Sequence, residues 1–120
     1  MIALKTENLE DLKEKVYDLL NKTKVEIGYN TDGKTLAALS KIFANDLIIE
    51  KRFGNLTFNQ VEEAFRIGVR FGKEEPFMNI RTFYRWLYTH KKVIDDATYQ
   101  VETLKQKNVL YYQPQIKLLK

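Results

Sequence analysis

The chain contains no cysteine, a single histidine and a single serine. Because there are no thiol groups, disulfide bonds, thiolate zinc sites and cysteine nucleophiles are excluded. One serine, Ser40, and one histidine, His90, do not suggest a Ser-His-Asp arrangement, and His90 has no neighbouring ligands with which to hold a metal ion. The composition therefore predicts a protein that is not an enzyme, holds no metal and requires no cofactor.

Glycine and proline are also scarce, with five and two residues in the chain, which favours long helices over many short strands. No apolar run approaches the ~18 residues that cross a membrane, and the sequence MIALKTENLEDLKEKV is charged too early for a signal peptide. We therefore expect a cytoplasmic protein of the host cell, with association with a virion as the alternative, that makes no contact with a membrane. The 44% of hydrophobic residues predicts one domain over residues 1–120, with its core in residues 7–107 and a tail at 108–120.

Apolar residues recur mostly at helical spacing, which predicts an all-α bundle of about five helices. The predicted first helix follows Thr6 as its N-cap, and a third helix begins after a capping box formed by Thr57 and Gln60. Gly72 ends that third helix, and Asn79 caps the next one. The predicted helices cover residues 7–22, 35–52, 58–71, 79–91 and 94–107.

Two segments carry less certain patterns. Residues 24–29, KVEIGY, alternate between apolar and polar side chains, so they form either a loop or a short β segment, for which residues 109–112 are the available partner. The tail is apolar but is interrupted by Pro114. It either docks on the core or serves as a peptide that another protein binds.

The most informative stretch begins like the first helix of a helix-turn-helix, with Ala64 followed by Gly68. A glycine inside a helix costs ~1 kcal/mol relative to alanine, so Gly68 predicts close packing where the helices 58–71 and 79–91 cross. Trp86 lies on the inner stripe of the second helix, which favours a core position over a stacking platform. Residues 61–92 carry seven basic and four acidic side chains, so the positive charge of the chain concentrates there.

A basic and aromatic outer stripe on the second helix is the candidate nucleic-acid contact. Arginine binds phosphate or guanine bidentately, and Tyr84 and Tyr88 offer hydroxyl groups to phosphate or rings to an unpaired base. The alternative interpretation is a pair of core helices whose polar faces are basic. The predicted contact residues are Arg81, Arg85, Tyr88 and Lys92, assisted by Arg66, Arg70 and Lys73.

Three segments, ANDLIIEKRFGNLTF, VEEAFRIGVR and NIRTFYRWL, resemble a family of small proteins from phages and integrated elements of Bacteroidetes-type bacteria. The resemblance covers residues 36–92. It implies a phage or mobile-element origin and, by similarity of size and layout, an accessory role in replication such as that of a helicase loader.

The leading hypothesis is therefore a non-enzymatic accessory protein that binds DNA or a replication-type nucleoprotein complex. A second hypothesis is a protein-interaction module, either an inhibitor of a host system or a small virion subunit, that works through the acidic first helix and the apolar tail. A third is a homodimer built on the aromatic-rich face.

Overall fold

The computed structural model describes the backbone of residues 2–119 and the side chains of residues 2–104. In that part of the chain, a short 3-10 turn at Leu4–Thr6 precedes four α-helices. A bridge between Ala3 and Thr57 is the only β contact among the described residues. The all-α class predicted from the sequence is confirmed, although the expected number of helices was about five. The helices are α1 (Leu9–Ile27), α2 (Gly33–Ile49), α3 (Phe58–Phe71) and α4 (Ile80–Leu119).

The chain falls into two units, Met1–Thr89 and His90–Lys120. The first unit contains the 3-10 turn, α1, α2, α3 and the first turns of α4, whereas the second contains the continuation of α4. The prediction of one domain over residues 1–120 stays a prediction. No helix in the described residues is both long enough and apolar enough to cross a lipid bilayer.

Helix α1 begins later and ends later than the sequence pattern predicts. Asn8, rather than Thr6, is the N-cap: its side chain accepts hydrogen bonds from the backbone N–H groups of Glu10 and Asp11. The helix then continues to Ile27 and ends at Gly28, which adopts the left-handed backbone conformation with φ of 68°. Glycine reaches that conformation without steric cost, so Gly28 is a well-suited helix terminator.

The predicted β segment at residues 24–29 is therefore wrong, because most of it forms the last turn of α1. An alternation over six residues is too short to exclude a helix with some exposed apolar side chains, and Val25 is such a side chain. Its suggested partner, residues 109–112, lies within α4, so no strand pairing occurs. The predicted docking of the tail on the core involves side chains outside the described part of the chain.

Helix α2 starts two residues before its predicted position and ends three residues before it. Asp32 caps the N-terminus by accepting a hydrogen bond from the backbone N–H of Thr35 at 2.8 Å. After Ile49 the chain turns through residues 51–55, and the N-terminal segment packs against that turn. Leu4 donates its backbone N–H to Leu56 at 2.8 Å, which fixes the completely buried Leu4 side chain in the core.

Helix α3 has the predicted bounds. Both hydrogen bonds of the capping box are present: the Thr57 side chain accepts from the Gln60 backbone, and the Gln60 side chain accepts from the Thr57 backbone. Gly72 forms the C-cap, as predicted. The local signals at both ends of this helix agree with each other, which explains why its boundaries can be read from the sequence.

Helix α4 replaces the two predicted helices at 79–91 and 94–107. Its predicted cap is confirmed, because the Asn79 side chain accepts a hydrogen bond from the Thr82 backbone N–H at 2.8 Å. No glycine or proline lies between Asn79 and Pro114, so nothing in the sequence interrupts the backbone hydrogen bonds around Lys92. The division into two helices was therefore wrong.

An aromatic cluster lies at the centre of the first unit. The Phe43 ring of α2 lies 5.7 Å from Phe65 of α3 and 5.2 Å from Phe83 of α4, between ring centroids. All three rings are fully buried, and tilted aromatic pairs at such distances add to the stabilisation from burial. The cluster therefore fixes the positions of α2, α3 and the first turns of α4 relative to one another.

Candidate nucleic-acid interface

The crossing of α3 and the start of α4 depends on Gly68. A Cβ atom placed on Gly68 would overlap the indole ring of Trp86. The Trp86 ring also packs edge-on against Phe65 at 5.1 Å, and only 6% of Trp86 is exposed. The predicted close approach at Gly68 is therefore confirmed, and so is the core position of Trp86.

The connection between these helices is longer than that of a typical helix-turn-helix. Residues 72–79 separate Phe71 from Ile80, whereas the common motif has a turn of roughly three to four residues. Met78 is buried and anchors this connection to the first unit, while Lys73, Glu74 and Glu75 are exposed. The pair thus shares the small-residue crossing of a helix-turn-helix but not its tight turn.

The predicted contact residues divide between the two units. Arg66 and Arg70 lie on α3, Lys73 lies in the connection, and Arg81, Arg85 and Tyr88 lie on the first turns of α4. Arg85 is half-buried, and the other five are exposed. Lys92 is exposed in the second unit.

Carboxylates neutralise much of the predicted basic surface. Arg66 pairs with Glu63 one turn earlier on α3, and this hydrogen-bonded pairing raises the pKa of Arg66. Arg70 pairs with Glu26 of α1, and Arg85 pairs with Glu74 at 2.6 Å. Three of the four predicted arginines are therefore ion-paired. This counts against a large, uninterrupted cationic surface.

The pairs on α3 lie beside further acidic side chains. A groove of about 240 Å³ between α1 and α3 is lined in part by Glu26, Glu62, Glu63 and Arg66. Three carboxylates line this groove together with two cations, Lys22 and Arg66, so the positive charge of Arg66 is offset locally. The α3 part of the predicted surface is a poor phosphate site.

The α4 part retains more positive charge. Arg81 is exposed and has no ion pair among the described residues. Arg81 and Arg85 are four residues apart, so they lie on one face of the helix. The Arg85–Glu74 pair is substantially solvent-exposed, and exposed pairs contribute ~0–1 kcal/mol, so a phosphate group can replace the carboxylate at low cost.

Tyr88 is positioned by contacts that the sequence analysis did not anticipate. The guanidinium group of Arg52 lies over the Tyr88 ring, 5.5 Å from its centroid. The Phe53 ring also packs against the Tyr88 ring, with 5.3 Å between the two centroids. Arg52 follows α2 and is therefore a further cation beside the α4 stripe. The adjacent basic residues Lys51 and Arg52 are visible in the sequence. Their spacing, however, does not indicate that Arg52 contacts Tyr88, which lies 36 positions further along the chain.

Tyr84 does not offer its hydroxyl group to phosphate, contrary to expectation. The hydroxyl donates a hydrogen bond to Asp46 of α2 at 2.7 Å. Burial raises the pKa of Tyr84, and the hydrogen bond to the Asp46 carboxylate raises it further. The phenol therefore stays protonated across the physiological range and ties α2 to α4.

We define the α4 surface as Arg52, Arg81, Arg85 and Tyr88. It combines three guanidinium groups with one partly exposed ring, since 37% of Tyr88 is accessible. Arg52 and Arg85 each have an acidic neighbour, Glu50 and Glu74. This arrangement can bind phosphate by charge and accept a stacked base or a second ring.

Comparison of the chain with protein-family models, with curated proteins and with solved structures found no match.

Proposed function

We propose that this protein is a non-enzymatic accessory protein, encoded by a phage or mobile element, that binds DNA or a replication-type nucleoprotein complex through the α4 surface. The observation that supports the proposal is the arginine pair on one face of α4, the exposed Arg81 and the half-buried Arg85, extended by Arg52 over the Tyr88 ring. The resemblance over residues 36–92 supports the mobile-element origin.

The ion pairs on α3 restrict this proposal. Because the charges of Arg66 and Arg70 are locally balanced, binding rests mainly on α4, with Lys73 as an exposed neighbour in sequence. A surface with three or four phosphate contacts binds weakly on its own at physiological salt. We therefore expect the protein to act beside another DNA-binding component and not as an independent sequence-specific regulator.

The test is binding of fluorescent duplex and single-stranded oligonucleotides at ~50 mM salt, followed by a salt titration. Each lost phosphate contact lowers the slope of log affinity against log salt by about one, so Arg81→Glu with Arg85→Glu abolishes binding or removes about two units of slope. Absence of binding to both kinds of DNA at that salt concentration would overturn the proposal.

A matched control separates specific contacts from net charge. Lys34→Glu with Lys41→Glu makes the same change in net charge on exposed positions of α2. We expect this variant to bind nearly as well as the original chain, and circular dichroism should show equal helicity in all three proteins. Equal loss of binding in both variants would show only non-specific electrostatic attraction.

One observation favours the alternative of a protein-interaction module, an inhibitor of a host system or a small virion subunit. A groove of about 410 Å³ between α1 and α2 is lined by Glu10, Glu14, Asp18 and Tyr17, together with basic and small side chains. This acidic groove suits a partner protein with a basic surface. Recovery of one stoichiometric host or phage protein, unaffected by nuclease and lost on Glu14→Lys with Asp18→Lys, would favour it.

A further inference from the structure

Tyr88 supplies the aromatic ring of the α4 surface, and its neighbours hold that ring in place. The Phe53 ring lies 5.3 Å from it between centroids, and the Tyr84 ring packs edge-on at 6.1 Å. Phe53 is completely buried, and the Tyr84 hydroxyl is hydrogen-bonded to Asp46 of α2, so both neighbours are themselves fixed. Because 37% of Tyr88 is exposed, the surface presents a supported aromatic ring to solvent.

Arg52 adds a planar cation beside this ring. Its guanidinium carbon lies 5.5 Å from the Tyr88 centroid, and its own side chain is 66% exposed. A guanidinium group is planar and weakly hydrated, so it stacks on aromatic side chains and on nucleic-acid bases. We name Arg52 and Tyr88 the stacking platform, because together they offer two flat groups to the ring of a ligand.

Two further arginines lie on the same helix face as the platform. Arg81, Arg85 and Tyr88 follow one another at steps of four and three residues, so they occupy one face of α4. These three residues and Arg52 all belong to the first unit, Met1–Thr89. The face therefore combines cations with an exposed ring, the combination by which proteins bind single-stranded nucleic acid.

A duplex cannot use the face of the Tyr88 ring. Inside a double helix each base is stacked between its neighbours, and only base edges are accessible in the grooves. An unpaired strand exposes the faces of its bases, and every base has a face that can stack on an aromatic side chain. The platform therefore contributes to the binding of a single strand and not to that of a duplex.

The connection before α4 also disfavours a duplex. A helix that reads a duplex enters the major groove with its first residues, so phosphates of both strands flank it. Here the exposed residues Glu74 and Glu75 precede α4, and Glu74 reaches Arg85 at 2.6 Å. Carboxylates at this position repel the phosphates of a second strand, whereas a single strand can leave that side of the helix open.

We infer that the α4 surface selects single-stranded over duplex DNA, because one unpaired base stacks on the platform while Arg81 and Arg85 bind adjoining phosphates. This inference rests on the proposed binding of DNA by the same surface, and it names the form of DNA that is bound. Tyr88 is then the residue that determines strand specificity, and the arginines provide the salt-dependent part of the affinity.

The first test requires no substitution. The full chain is titrated at ~50 mM salt with three fluorescent probes of equal length. They are a thymidine single strand, a duplex, and a strand of abasic nucleotides that keeps the phosphates but has no bases. We expect the thymidine strand to bind roughly 5- to 100-fold more tightly than the other two, which is the range that one stacked base provides. A duplex or an abasic strand that binds as tightly as the thymidine strand overturns the inference.

The second test separates the Tyr88 ring from its apolar volume. Tyr88→Leu removes the ring but keeps an apolar side chain against Phe53, and Tyr88→Phe keeps the ring without the hydroxyl. We expect Tyr88→Leu to bind the thymidine strand only as tightly as the abasic strand, whereas Tyr88→Phe keeps the preference. Neither substitution changes the net charge, so the dependence of affinity on salt should be the same in both. A preference for the thymidine strand that survives in Tyr88→Leu contradicts the assigned role of the ring.

The results also separate this inference from the proposed function. If the chain binds none of the three probes, the proposed function fails and the inference fails with it. If the chain binds all three probes equally, DNA binding through charge stands, and only the selection of single strands is wrong.

Discussion

The aromatic core of the first unit and the apolar side chains of the second unit differ in exposure. In the first unit, Phe43, Phe65 and Phe83 come from three different helices and are fully buried. In the second, Val101 and Leu104 come from one helix and remain half-exposed. The hydropathy of the residues is similar, so the difference lies in whether another element of the same unit covers them. A buried stripe contributes to folding, whereas an exposed one is available for association.

The largest effect on the free energy of unfolding is expected when an aromatic side chain is removed from the core of the first unit, compared with the same removal from the second unit. Phe43→Ala should lower the free energy of unfolding by about 3–5 kcal/mol, because it leaves a cavity among three neighbouring rings. Tyr99→Ala, at an exposed position of the second unit, should change it by less than about 0.5 kcal/mol. Urea denaturation measures both, and similar losses would refute the contrast.

A second test concerns the helix crossing within the first unit. Gly68→Ala forces a methyl group against the Trp86 ring, so we expect a loss of about 1–3 kcal/mol in unfolding free energy. Gly33→Ala is the matched control, because nothing lies within 4 Å of its added Cβ. That substitution should be neutral or stabilising by up to about 1 kcal/mol, since alanine restricts the unfolded chain. Equal effects at the two glycines would mean that the crossing tolerates a wider spacing.

The hydrogen bond between Tyr84 and Asp46 provides a third, smaller test. Tyr84→Phe removes the hydroxyl donor, and we expect a loss of about 1 kcal/mol measured by urea denaturation at neutral pH. Because the pKa of Tyr84 is raised on folding, the stability it provides is complete below the ordinary tyrosine value of about 10 and declines as pH rises above it. The difference between the two proteins should therefore shrink in alkali, and an increase would contradict the assignment.

The smallest effect is expected at the exposed cap of α2. A hydrogen bond from the Thr35 side chain lowers the pKa of Asp32 most, and a hydrogen bond from the Thr35 backbone lowers it further. A lowered pKa in the folded state stabilises the protein above the ordinary aspartate value of about 3.9, and this contribution is lost as pH falls through the lowered value. Asp32→Ala should lower the melting temperature slightly at pH 7 and less in strong acid. Asp32→Asn, which keeps a capping side chain, should have the weaker effect at pH 7.

Local signals in the sequence predicted part of the fold well. The capping box at Thr57 and the terminator Gly72 gave the bounds of α3, and Gly68 predicted the close crossing. Segment 24–29 was misread because six residues cannot separate a strand from the last turn of an amphipathic helix. The continuity of α4 was missed although no residue around Lys92 breaks a helix.

The candidate site was less predictable, for a physical reason. Arg70 and Glu26 are 44 residues apart in the chain, and Arg52 and Tyr88 are 36 apart. Contacts of this range depend on how the helices pack, so periodicity and spacing contain no information about them. The sequence therefore located the positive charge but could not show which charges already have partners.

The position of Trp86 has a practical consequence. It is the only tryptophan in the chain, and its indole ring rests directly on Gly68. Its fluorescence can be excited selectively, and the emission wavelength depends on how much water reaches the ring. The intrinsic fluorescence of Trp86 therefore reports on the contact between α3 and α4. A ligand or partner that separates those two helices should shift its emission wavelength.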